Sequence, residues 1–269
     1  MIDVVLKRAI EEYISNFKVM LSFGALFLFL PLFLMFSQFF LNSGTVYLSL
    51  NADLVLGAIG LVLALIFLYI FSFFVSLTVY AVHRDVQTLN LDTYWNTLFK
   101  DAALKVFFLY LVCAIVFYLV SALGFMTGLV YLALILNLII ALVVMYAPQS
   151  IVLDESTIGE AIGKSVEFWF ESPLISIAIF MIASVLLFVI LFIELLLDLV
   201  GLPGVIVSFF LVLVFLVPFI EQTKSYAYLL KVALLKSNEV THARAPHIEK
   251  PKPLLGTRLR ERPKHGSKL

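Results

Sequence analysis

Six long apolar runs organise the chain: Val19–Phe40, Leu54–Tyr80, Leu104–Leu123, Thr127–Ala147, Leu174–Leu197 and Val205–Ile220. Each is continuous rather than alternating, which predicts helices and not the two-residue period of barrel strands. A helix needs about 20 apolar residues to cross a hydrocarbon core of about 30 Å, so the pattern predicts six transmembrane helices. The sixth should continue as helix to about Leu235, past the membrane surface. The first run is too long for the apolar core of a secretory signal and follows a charged, helix-like segment, so no signal peptide is expected.

The polar segments before the odd-numbered spans share a second pattern. Before span one, Ile2, Leu6, Ala9, Ile10, Tyr13, Ile14 and Phe17 recur at helical spacing, with Lys7, Arg8, Glu11 and Glu12 largely between them. Before span three, Asp92 is a plausible N-cap and Trp95, Leu98 and Phe99 share a side. Before span five, Ser156 is the expected cap, and Ile158, Ala161, Ile162, Val166 and Trp169 follow three or four residues apart. That last stretch, Tyr146–Ser176, holds five acids and one base, Lys164, between two apolar runs. Such stripes describe helices with one face buried in the membrane interface. Trp95 and Trp169, the two tryptophans, fall in these segments, where an indole suits the boundary between lipid and water. Tyr-Ala pairs (Tyr80-Ala81, Tyr146-Ala147, Tyr226-Ala227) close the even-numbered spans or their extensions. The predicted fold is therefore all-α and integral to the membrane. Six spans form three hairpin units, 1–82, 83–150 and 151–236, each preceded by a cytoplasmic interfacial amphipathic helix. Two spans per unit give every unit the same orientation, a parallel repeat about an axis along the membrane normal.

Composition agrees. Of 269 residues, 63% are hydrophobic and 13% charged, against roughly 25% charged in soluble domains, and mean hydropathy is +1.10. The connections after spans one, three and five (Leu41–Asp53, Gly124–Met126, Asp198–Gly204) contain no Lys or Arg. Basic residues mark the cytoplasmic side, so both termini are expected there, in the cell membrane. Zero net charge hides a split: from Ser237 onward there are eight Lys/Arg against three Asp/Glu, a net of +5. Residues 237–269 read as a disordered basic tail. It is suited to anionic headgroups or a cytoplasmic protein, with nucleic acid a less favoured partner.

Candidate chemistry is sparse. No HExxH, no phosphate-binding glycine loop and no paired cysteine occurs, and Cys113 is the single thiol. No catalytic residue, metal or cofactor is expected, and the chain reads as non-enzymatic. Asn137 is the polar residue near the middle of a span. It is either an interhelical hydrogen bond or part of a substrate or ion site. Glu194, Asp198 and Gln38 fall near the outer ends of spans. Glu221 and Lys224, three apart on the emerging sixth helix, predict an interfacial ion pair. ABC permeases and mitochondrial-type carriers are not matched. Glu160-Ala161 is followed by Ile162 with Val166 at the glycine position, and Pro218, Glu221 and Lys224 have one residue too many between proline and acid.

The segment "LDESTIGEAIGKSVEFWFESPLISIAIF" pairs a capped polar helix carrying Glu160-Ala161, Lys164-Ser165 and Trp169 with a long apolar span. It resembles a loose group of six-span proteins that includes the membrane domain attached to some glycerophosphodiester phosphodiesterases and its stand-alone archaeal and bacterial relatives. The resemblance implies the six-span architecture over about residues 1–236. The soluble phosphodiesterase domain has no counterpart in this sequence, so the activity is not implied. The expected role is membrane-organising, lipid-interacting or assembly; the alternative is a small-molecule or lipid permease with a cavity near Asn137. Oligomeric state is not encoded in these features.

Overall fold

The computed structural model describes residues 2–15, 17–36, 39–42, 45–48, 54–86 and 101–243. The chain divides into two units, Met1–Leu230 and Lys231–Leu269; of the second, the described part is the end of a long helix. Trp95 and most of the tail lie outside the described residues, as does the second predicted amphipathic helix.

The described elements are α1 (Ile2–Ser15), α2 (Phe17–Ser22), a 3-10 helix (Phe23–Phe29), α3 (Leu30–Met35), β1 (Phe39–Asn42), β2 (Thr45–Leu48) and α4 (Leu54–Val86). Then follow α5 (Ala103–Thr127), α6 (Val130–Val144), α7 (Ala147–Leu153), α8 (Ile158–Glu171), α9 (Pro173–Leu199), α10 (Gly204–Leu211), a π segment (Val212–Leu216) and α11 (Val217–Ala243). Among the described residues five helices are long and apolar enough to cross a membrane: Leu54–Val82, Ala103–Thr127, Val130–Leu153, Pro173–Leu199 and Gly204–Lys231. Their faces carry many exposed Leu, Ile, Val and Phe side chains, a distribution that belongs in lipid and not in water.

The first predicted span differs from its expectation. In place of one helix over Val19–Phe40, the run breaks into α2, a seven-residue 3-10 helix and α3, and its end becomes strand. Gly24 sits against Val214, with room for a Cβ only at van der Waals contact. Phe36 turns extended at φ −98°, ψ 118°, and Phe39–Asn42 pairs antiparallel with Thr45–Leu48, Phe40 opposite Tyr47. Aromatic and β-branched residues with period-two burial favour a strand. Phe39 is buried while Phe40 and Tyr47 point outward, and a continuous apolar run does not reveal that alternation.

One turn also moves. The connection expected at Gly124–Met126 lies instead at Gly128, whose φ of 73° ends α5 in the left-handed conformation that glycine adopts without steric cost. Gly124 stays helical and lets α6 approach at Ala133. The α9–α10 turn follows its expected place. Gly201 has φ 78°, and the Gly204 N–H donates to Asp198 Oδ1 at 2.9 Å.

The core runs through α2–α3, α4, α5, α7 and α10. Phe23, Leu26, Phe33, Val75, Val79, Leu109, Ile151 and Phe209 are buried in it. Phenylalanines supply much of the contact: Phe33 meets Phe39 at 4.6 Å and Phe67 edge-on at 5.1 Å between ring centroids.

Candidate functional site: a buried polar cluster

Where α6 ends and α9 begins, the apolar core gives way to polar side chains that remain buried. The α11 stretch Glu221-Gln222-Thr223-Lys224-Ser225 is covered on every side. Five consecutive helical residues face all directions, so α11 is surrounded here rather than laid on a surface. Its main neighbour in the network is α7, a seven-residue helix started by Pro148 near its N-terminus. Proline is tolerated there because its missing N–H is one the helix leaves unpaired anyway.

Lys224 Nζ donates to Glu221 Oε1 at 2.7 Å and to the Met145 carbonyl at 3.0 Å. Gln149 Nε2 donates to Glu221 Oε2 at 2.8 Å, and the Ser225 hydroxyl donates to the Glu221 carbonyl at 2.7 Å. The ion pair joins residues 8–9% exposed in their side chains. At that depth it depends on such extra hydrogen bonds to offset desolvation.

The next residue of α7 opens a second group. Ser150 Oγ donates to Ser156 Oγ at 3.1 Å. Lys164 Nζ donates to Ser156 Oγ and to Asp154 Oδ2, both at 2.9 Å, and Tyr228 Oη donates to Asp154 Oδ2 at 2.6 Å. α8 is fixed from the other side by Ser165, which accepts from the Tyr146 N–H at 3.0 Å and donates to the Val143 carbonyl at 2.6 Å. Phe168 lies 4.2 Å from Tyr146 and 5.6 Å from Tyr228, centroid to centroid.

α8 begins at Thr157, not at the expected Ser156. The Thr157 hydroxyl accepts from the Glu160 N–H, and Glu160 Oε2 accepts from the Thr157 N–H, a reciprocal capping box. Those bonds from Thr157 hold the exposed Glu160 carboxyl below its usual range, with Lys164 and Lys105 adding a smaller pull. Ser156 is drawn inward instead, and Glu155 makes the bend at φ 54°. The buried stripe of α8 is Ala161, Ser165 and Phe168. Ile162, Val166 and Trp169 lie on its half-buried flank, where Val166, Trp169 and Phe170 face Ile139, Leu142 and Val143 of α6.

The sequence-predicted residues thus fall in separate places. Glu221 and Lys224 meet, but inside the protein against α7. Trp169 lies on the flank of α8. Asn137 is remote from the cluster: its Nδ2 donates to Ser121 Oγ at 2.8 Å between α5 and α6. Sequence reasoning missed Gln149, Ser150, Asp154, Ser165 and Tyr228. The available signal was the unbroken polar run of residues 221–225 inside a predicted helix, which needs polar partners elsewhere in the chain.

Among the described residues no group of three or more His, Cys, Asp or Glu could hold a metal ion. The chain matches no family model, no curated protein and no solved structure.

Proposed function

We propose that this chain is a non-enzymatic, six-span protein of the cell membrane that organises or binds membrane lipids, with both termini cytoplasmic. The proposed spans are the five long apolar helices and the broken α2–α3 element. They pair as three like-oriented hairpin units, the architecture implied by the resemblance to phosphodiesterase-linked membrane domains. The observation that carries the reading is the internal commitment of the buried Glu221–Lys224 pair. Lys224 is held by Glu221 and a backbone carbonyl, and Glu221 by Gln149. Charges arranged in this way fix α7 to α11, whereas a turnover site holds its charges open to a ligand. The Asn137–Ser121 bond supports a packing role for Asn137 in the same way.

Two measurements test this. Protein exchanged from bilayers into detergent should retain phospholipid in native mass spectrometry. Asn137→Leu should restore whatever phenotype deletion of the gene produces, and should lower thermal stability by only about 0.6 kcal/mol, the average for interhelical hydrogen bonds in bilayers. Loss of function in that variant, with normal expression and folding, would instead favour a permease.

A further inference from the structure

Between α9 and the helix running from α10 into α11 lies a groove of about 310 Å³. α9 contributes its wall from Leu186 to Ile193, the opposite helix from Leu211 to Phe219, and α1 contributes Tyr13. Every lining side chain except Tyr13 is apolar.

Tyr13 is held there by a defect in its neighbour. In an α-helix the Val214 carbonyl would accept from the N–H four residues on. That residue is Pro218, which has no N–H. The helix is locally widened, with the Val217 N–H bonding back to Val212 across the π segment. Tyr13 Oη donates to the Val214 carbonyl at 3.0 Å, and its ring meets Phe219 edge-on at 6.0 Å. Burial pushes the phenol up to about 12, so it remains a donor at ordinary pH. The one polar group on the groove is therefore committed to backbone.

We propose that this groove holds one acyl chain of a membrane phospholipid, with Tyr13 pinning α1 against it. The inference rests on the lipid-binding reading above. Both helices flanking the groove are long and apolar enough to cross a membrane, so the surrounding medium is hydrocarbon. Water finds no partners on an apolar wall and leaves such cavities dry. A polar ligand would find no free donor among these side chains, since the Tyr13 proton is already given to the Val214 carbonyl. An acyl chain matches the groove in chemistry and is the molecule already present around it.

The test uses the full chain in phosphatidylcholine nanodiscs containing a phosphatidylglycerol with a diazirine in mid-acyl chain. Crosslinks to Leu186–Ile193 and Leu211–Phe219 should saturate with probe and be displaced by unlabelled phosphatidylglycerol. Val189→Trp, and independently Leu186→Trp, should fill the groove and reduce the saturable crosslink at least tenfold, with labelling of α5 and α6 unchanged. Tyr13→Phe keeps the ring but removes the donor, and should speed exchange of the bound probe several-fold. It keeps the proposal testable if neither Trp variant folds, because an unchanged exchange rate would overturn the pinning. Groove labelling that rises linearly with probe, or that both Trp variants leave intact, would overturn the site. Saturable labelling confined to other segments would remove the groove and leave lipid binding standing. Absence of saturable labelling anywhere would remove both.

Discussion

Lys224 brings a full charge to a place where it is almost completely covered, and its ammonium is shared between one carboxylate oxygen and one carbonyl. Removing a single partner of such a pair leaves the other charge buried and unmatched, at a cost of about 3–5 kcal/mol. Lys224→Met should therefore destabilise the protein by that amount in denaturant titrations in micelles. The double variant Glu221→Gln/Lys224→Met should recover most of the loss, because no bare charge remains. Equal, additive losses would show that the two side chains act independently. Glu160 gives a pH signature of opposite accessibility. Its folded carboxyl is held low by Thr157, so its contribution is present above the unfolded carboxylate range and is lost as pH falls through the folded value. Thermal melts of the native chain should lose this increment in acid, and Glu160→Gln should lack that part of the pH dependence. The Glu221–Lys224 contact was legible in the sequence because a three-residue helical spacing is local. Gln149 was not legible, since 72 residues separate it from Glu221 and only tertiary packing brings them together. The cap moved from Ser156 to Thr157 for a related reason: Ser150 and Lys164 engage the Ser156 hydroxyl, and neither contact shows in a capping pattern.

At the scale of elements, two glycines are load points for helix contact and one is not. A Cβ at Gly124 would run into Ala133, and one at Gly204 into the Glu194 carbonyl. Both backbones are already packed, so Gly124→Ala and Gly204→Ala should each lower stability by about 1–3 kcal/mol. Gly163, inside α8, has open space where a Cβ would stand. Gly163→Ala should raise stability by about 0.5–1 kcal/mol through backbone entropy alone. A common sign for all three variants in thermal unfolding would contradict these contacts. Apolar run length located the long helices well, with α9 at Pro173–Leu199 against an expected Leu174–Leu197. It failed at the first run, where strand, 3-10 and α-helix all satisfy the same hydropathy. The α8 stripe was read as an apolar face, yet its innermost positions are Ala161, Ser165 and Phe168. Ser165 sits there because its hydroxyl bonds the Val143 carbonyl and the Tyr146 N–H at the end of α6, and a serine at such a contact looks polar in a hydrophobicity pattern.

For the whole molecule, the proposed orientation makes a direct prediction. In a Cys113→Ala background, a cysteine at Ser43 should react with an impermeant maleimide added to intact cells. A cysteine at Ser267 should react only after the membrane is opened. Labelling of Ser267 in intact cells would reverse the orientation. The buried run Glu221–Ser225 carries a consequence for how the chain is made. Bare in lipid, a segment with two charges and three further polar residues is unfavourable at any depth away from the surface. The groups that receive it, the Met145 carbonyl and Gln149, precede their partners in the run by 79 and 72 residues. They have therefore left the ribosome before residue 221 is synthesised. The last helix can partition directly from the translocon onto α7, without a lipid-exposed stage. A chain in which α7 is weakened, as in Gln149→Leu, should hand this helix to quality-control proteases during synthesis. Its defect would then be seen as reduced yield more than as a reduced melting temperature.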